Sequence, residues 1–108
     1  MDKEIKESIK KIADTYGYEP QSRQCIEEMA ELTQAINKFW RKVLKCGNRD
    51  VVKYDGVSFF PEEQDNLVEE MADVQIMLWQ LEYLLNADTS IIIQQKLDRQ
   101  IQRIKDKN

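Results

Sequence analysis

The residues best suited to chemistry in this chain are the carboxylates of two nearly identical acidic phrases. The phrases read IEEMAE at residues 26–31 and VEEMAD at residues 68–73. With about 100° per helical residue, the second Glu and the last acid of each phrase lie about 60° apart on one helix side. Like charges at this spacing cost about 0.2–0.5 kcal/mol per pair, a cost that a bound cation removes. We therefore predict a metal site at which four carboxylates converge, those of Glu28, Glu31, Glu70 and Asp73.

The composition restricts the kind of metal. Histidine is absent, and the two cysteines, Cys25 and Cys46, are too few for a zinc site. We interpret both as free thiols, because a disulfide is unusual in a cytosolic protein. A metal that is held by oxygen atoms alone points to Mg²⁺, for which Mn²⁺ can substitute.

The distribution of charge also favours a cation at the acidic phrases. Nine acids and no Lys or Arg occur from residue 54 to residue 95, whereas an ordinary solvated helix face intersperses basic residues. Two acidic faces that are alike by chance are the alternative. The net charge of −4 argues against binding to nucleic acid polymers or anionic membranes, and no apolar run reaches transmembrane length. The polar first residues do not resemble a signal peptide, so we expect a cytoplasmic location.

Helices must position the acidic phrases, and the hydrophobic periodicity predicts four of them in a single domain at 1–108. The expected bounds are about 2–16, about 20–47, 61 to about 85, and a last helix that includes 91–104. We predict an all-α, four-helix bundle-like domain that assembles as a homodimer or homotetramer. A short loop, or a hairpin with its turn at Asp55-Gly56, is expected between the second and third helices.

The apolar residues that flank the acidic phrases predict how these helices pack. We expect Met29 and Met71 in the core, and Trp40 in the core rather than stacked on a nucleotide base. The third helix is apolar on two sides. It therefore lies either at the centre of a bundle or with Trp79 at a dimer interface, and the sequence leaves both open.

In this order, the two phrases resemble the signature of the MazG-like all-α nucleoside triphosphate pyrophosphohydrolases, an EExxE helix followed by an ExxD helix. The signature stands here at 27–31 and 70–73, and residues 31–38 and 72–74 resemble the family's flanking EL..AI.K and ADV. The last helix, with Lys96 and Arg103, resembles the family's final helix. Two features depart from the family: 38 residues separate Glu31 from Glu70, and Gln100 stands where the family has Asn.

The resemblance implies Mg²⁺-dependent hydrolysis of a nucleoside triphosphate to a monophosphate and pyrophosphate. Water would attack the α-phosphorus, and Glu31 or Glu28 would accept its proton, with Glu27 the less favoured base. The implied metal ligands are the four carboxylates already singled out by helical geometry.

Basic and amide side chains near the acidic phrases are the candidates for substrate binding. We expect Lys38, Lys96 and Arg103 to contact the outer phosphates, although each is also an ordinary surface charge by its position. Gln21 and Gln24 are candidates for hydrogen bonds to the base or the sugar.

Other functions are compatible with the same pattern. A noncatalytic helical dimer could use its acidic faces to bind a basic partner, and it would show no dependence on divalent cations. Nucleotide-pool housecleaning is the expected role of an enzyme, and a biosynthetic role like that of a phosphoribosyl-ATP pyrophosphohydrolase is the alternative. A ferritin-like di-iron site is disfavoured because it normally needs Glu-x-x-His.

Overall fold

The computed structural model describes residues 1–46 and 60–107, and this part of the chain contains four helices and no strand. The element bounds are α1 Lys3–Tyr16, α2 Tyr18–Cys46, α3 Pro61–Leu84 and α4 Ser90–Lys107. The all-α prediction is therefore confirmed. The hairpin expected near Asp55-Gly56 lies outside the described residues.

Local signals account for the first two helices. The Asp2 carboxylate accepts a hydrogen bond from the Glu4 N–H at 2.7 Å and caps α1. Gly17 ends α1 with φ +83°, a backbone conformation that glycine adopts at little cost, and its N–H donates to the Ala13 carbonyl. Helix α2 begins at the next residue, two positions before Pro20. This early start is possible because the first helical turn does not need the N–H that proline lacks.

Helices α2 and α3 form the main packed pair of the fold. Gln21 contacts Gln80 near one end, and Lys42 lies 3.5 Å from Glu63 near the other, so the two helices run antiparallel. The Phe39 ring packs edge-on against Phe60 at the second end. Helix α1 packs mainly against α3. Antiparallel packing is what brings the middle of α2, with one acidic phrase, opposite the middle of α3, with the other.

The core lies along this packed pair and under α1. It contains the following apolar residues: Ile9, Ala13, Cys25, Ala35, Phe39, Val43, Val74 and Met77. Within the described part of the chain Cys25 is a free thiol, as expected, and its burial raises the pKa of that thiol.

The core positions predicted for Met29 and Met71 are wrong, because these side chains are 48% and 45% exposed. The buried line of α2 runs through Cys25 and Ala35, and that of α3 through Val74 and Met77. Both methionines lie on the flanks of those lines. Trp40 is likewise exposed rather than in the core.

Helix α4 differs from the others because every one of its described side chains is exposed. Among the described residues it does not pack along α1, α2 or α3. Its exposed large apolar residues are Ile91, Ile92, Ile93, Leu97, Ile101 and Ile104, and the last four of these form an outward apolar stripe. Across residues 1–46 and 60–107, no helix is both long enough and apolar enough to span a bilayer.

Candidate metal centre

Packing of α2 against α3 brings the two acidic phrases together. One carboxylate oxygen from each of Glu28, Glu70 and Asp73 lies within 4.8 Å of the other two. Glu28 comes from α2, whereas Glu70 and Asp73 lie one turn apart on α3. The convergence predicted from helical spacing is therefore present for these three carboxylates.

Two oxygens in this cluster are buried without a hydrogen-bond partner in the described part of the chain. They are Oε2 of Glu28 and Oε2 of Glu70, and each belongs to a half-buried side chain. The other Glu28 oxygen accepts a hydrogen bond from Gln24 Nε2 at 2.9 Å, which orients the carboxylate. An unsatisfied buried polar atom costs about 1–3 kcal/mol, and more when it is charged. A cation between the two helices would remove that cost.

Glu31 is exposed beside this cluster. The neighbouring carboxylate of Glu28, and next that of Glu70, raise the pKa of Glu31 above its ordinary value. The physical cause is repulsion between like charges, which disfavours the ionised form. This repulsion shows that the Glu31 carboxylate lies close to those of Glu28 and Glu70.

The donor set fits a hard divalent cation. Carboxylate oxygens from two rigid helices, with room for water on the exposed side, are the ligands that Mg²⁺ uses, since it retains several waters when bound. Glu28, Glu70 and Asp73 are the residues that would hold the ion, whereas Glu31, the fourth predicted ligand, lies beside this group and outside it. Glu27, the less favoured base, is exposed and does not belong to the three-carboxylate group.

The predicted substrate-binding residues fall in three different places. Lys38 lines a cleft of about 420 Å³ beside Glu31 and Glu70, and Gln24 bonds to Glu28. Gln21 is buried and donates to the side-chain oxygen of Gln80 at 2.8 Å, inside the α2–α3 contact.

Lys96 and Arg103 lie on α4, which does not pack along α2 within the described residues. Neither of them lines the cleft next to the carboxylates. If they take part in the site, another arrangement of α4 or another copy of the chain must bring them there.

The cleft contains polar residues that the sequence did not single out for binding. Besides Lys38 and the two acids, its polar lining comprises Gln34, Asn37, Arg41 and Asn66. The sequence pattern could have indicated two of these four residues as part of the site. Arg41 follows Lys38 at i+3 on the same side of a helix, and Asn66 precedes Glu70 at i−4.

No family model matches the chain, and comparisons with curated proteins and with solved structures gave no match either. The class that fold and site define is thus an all-helical domain with a carboxylate-lined candidate metal centre between two antiparallel helices. The likeness to the MazG-like family stays a prediction from the sequence.

Proposed function

We propose that the protein hydrolyses a nucleoside triphosphate to a nucleoside monophosphate and pyrophosphate in a Mg²⁺-dependent reaction. The observation that carries the proposal is the pair of buried, unpartnered oxygens of Glu28 and Glu70 at the point where three carboxylates converge. The order and spacing of the acidic phrases, which resemble those of the MazG-like enzymes, add the reaction class.

A bound Mg²⁺ would acidify a water and neutralise charge on the phosphate oxygens. Glu28, Glu70 and Asp73 would hold the metal, and the hydrogen bond from Gln24 orients the Glu28 carboxylate. Water attacks the α-phosphorus, the bond between that phosphorus and its bridging oxygen breaks, and pyrophosphate leaves. The proton of the water goes to Glu31, which is exposed beside the three converging carboxylates. Lys38 contributes positive charge to the same cleft.

The proposal includes self-assembly into a homodimer or homotetramer. Helix α4 exposes six large apolar residues, and the outer face of α3 exposes Val68, Met71, Ile76 and Leu78. Exposed apolar surface of this extent marks an interaction site more often than a free surface. In such an assembly α4 would pack against a neighbouring copy of the chain, and Lys96 and Arg103 would lie close to that copy.

The test is pyrophosphate release from a panel of ribo- and deoxynucleoside triphosphates, with Mg²⁺ and with EDTA. We expect release with Mg²⁺ alone, and a loss of about 100-fold or more in Glu31→Gln and Asp73→Asn. Glu69→Gln is the matched control, because it removes a carboxylate from the same acidic phrase outside the converging group. Circular dichroism verifies that each variant is folded.

The runner-up function is a noncatalytic interaction module, and the outward apolar stripe of α4 is the observation that favours it. Absence of turnover of every nucleotide, together with absence of metal-dependent nucleotide binding in calorimetry, would replace the enzyme by this module. In that case, the effects of acid-to-amide substitutions would also be spread evenly, with Glu69→Gln as harmful as Asp73→Asn.

A further inference from the structure

Four of the five basic residues of α2 fall into two groups, and the fifth, Lys45, lies in the last turn of the helix. Arg23 is bound to Glu19 at 3.0 Å, and Lys42 to Glu63 at 3.5 Å. Lys38 and Arg41 have no carboxylate partner among the described residues, and both line the cleft that contains Glu31 and Glu70. The cleft thus holds two cations whose charge is not matched by an ion pair in the described part of the chain.

The cleft is polarised along the axis of α2. Lys38 is seven residues beyond Glu31 and Arg41 is ten, which correspond to about 10 Å and 15 Å of helical rise. Because helical side chains lean toward the N-terminus, both cations lean back toward the carboxylates. Asn66 lies one turn before Glu70 on the antiparallel helix, so it is on the cationic side of the same cleft.

This arrangement matches the charge distribution of a polyphosphate chain. The carboxylate end suits a metal-bridged phosphate, and the cationic end suits phosphate oxygens farther along the chain. A guanidinium binds such oxygens through two parallel N–H groups, which a surface lysine does not reproduce.

We propose that Arg41 binds the terminal phosphate of the substrate and so makes the site selective for triphosphates over shorter phosphates. This inference rests on the proposed function, since it takes the Glu28–Glu70–Asp73 cluster as the metal end of the same cleft. Arg41 is then a substrate-binding residue at the far end of the cleft, and Asn66 is an amide beside it.

The experiment measures binding of inorganic tripolyphosphate and of orthophosphate by calorimetry with Mg²⁺, and KM for whichever nucleotide the panel identifies. Arg41→Gln is expected to weaken tripolyphosphate binding and to raise KM by about tenfold or more. Orthophosphate binding at the metal end should change little, so the ratio of the two affinities falls. Arg41→Lys should recover part of the loss, because it restores charge without the fork of donors.

Arg23→Gln is the matched control. It makes the same chemical change on the same helix, but at a residue that is bound to Glu19 and does not line the cleft. If Arg41→Gln, folded by circular dichroism, keeps tripolyphosphate affinity and KM within about twofold of wild type, the inference is overturned. An equal loss in Arg23→Gln would also overturn it, since the effect would then be one of net charge.

The failure of this inference is distinguishable from the failure of the proposed function. Wild-type turnover that is insensitive to Arg41→Gln removes the role of Arg41 and keeps the enzyme. Wild-type protein that neither releases pyrophosphate nor binds tripolyphosphate with Mg²⁺ removes both.

Discussion

Helices α2 and α4 are built from similarly amphipathic sequence, yet they have opposite environments. On α2 and α3 an apolar line is covered by the facing helix, and a polar line beside it carries the converging carboxylates. On α4 the apolar stripe is as regular, but every described side chain is exposed. The difference shows that the spacing of apolar residues predicts a helix and its apolar side. It does not predict which other helix covers that side.

The comparison also separates two uses of charge. The acids of α2 and α3 stand close together, so that Glu28 and Glu70 raise the pKa of Glu31. On α4, Asp98 and Asp106 accept hydrogen bonds from Gln94 and Gln102 one turn earlier, which is the ordinary stabilisation of an exposed helix face. The acidic phrases therefore differ from a solvated helix surface because the fold holds their carboxylates close enough to repel one another.

The largest expected effect on stability comes from truncation of the covered apolar line. Met77→Ala should lower the free energy of unfolding by about 2–5 kcal/mol, because Met77 is buried between the packed helices. Urea denaturation measures the change. The control is Ile104→Ala on α4, whose side chain is exposed in the single chain, measured at a protein concentration that excludes self-assembly. Equal losses in the two variants would contradict the distinction between the two regions.

The next effect concerns the uncovered stripe. Ile101→Asp should weaken self-association by about tenfold or more, because it places a charge in the centre of the apolar side of α4. Sedimentation over a range of concentrations gives the association constant, and Arg99→Gln serves as a control on the polar side of the same helix. A wild-type chain that sediments as a monomer throughout would contradict the assembly proposal.

A smaller effect is expected at the polar contact inside the covered region. Gln80 is 1% exposed and accepts a hydrogen bond from Gln21, so Gln80→Ala leaves a buried amide without its partner. The expected loss of stability is about 1–3 kcal/mol. The double variant Gln21→Leu/Gln80→Leu should lose less stability than the sum of the losses in the single variants Gln21→Leu and Gln80→Leu. A double-mutant cycle built from these three variants measures the coupling. Additive losses would show that the two amides do not depend on each other.

The smallest effect is expected at the exposed edge where α1 meets α3. The Tyr83 hydroxyl donates to both carboxylate oxygens of Asp14, at 2.9 and 3.0 Å, and this bond raises the pKa of Tyr83. Its contribution to stability is therefore fully present below the unfolded pKa of tyrosine, about 10, and is lost as pH rises through the folded pKa. At neutral pH, Tyr83→Phe should cause a slight loss of thermal stability. At a pH above the folded pKa of Tyr83, it should cause none. Thermal unfolding at both pH values tests this, with Tyr16→Phe as the control.

The sequence was sufficient to predict the helices and the meeting of the two acidic phrases, because both follow from local periodicity and from antiparallel packing. It was not sufficient for Met29 and Met71, since a shift of the buried line by one position moves a side chain from the core to the flank. The role of Gln21 was also out of reach. A glutamine near a polar line has the same sequence pattern whether it binds a ligand or pairs with Gln80 in the interior.

The single glycine between α1 and α2 has a mechanical consequence. Gly17, at φ +83°, is the one residue between α1 and α2. The end of α1 and the start of α2 must therefore stay next to each other. The docking of α1 on α3 therefore helps to place the first turn of α2, and the long contact of α2 with α3 places the rest of the helix. An insertion of a few residues after Gly17 would leave both helices and all four carboxylates in place in the sequence, and it would free the first turn of α2 from the end of α1. The joint at Gly17 in this way supports the entry of α2 into the bundle, while the α2–α3 contact sets the register between the acidic phrases.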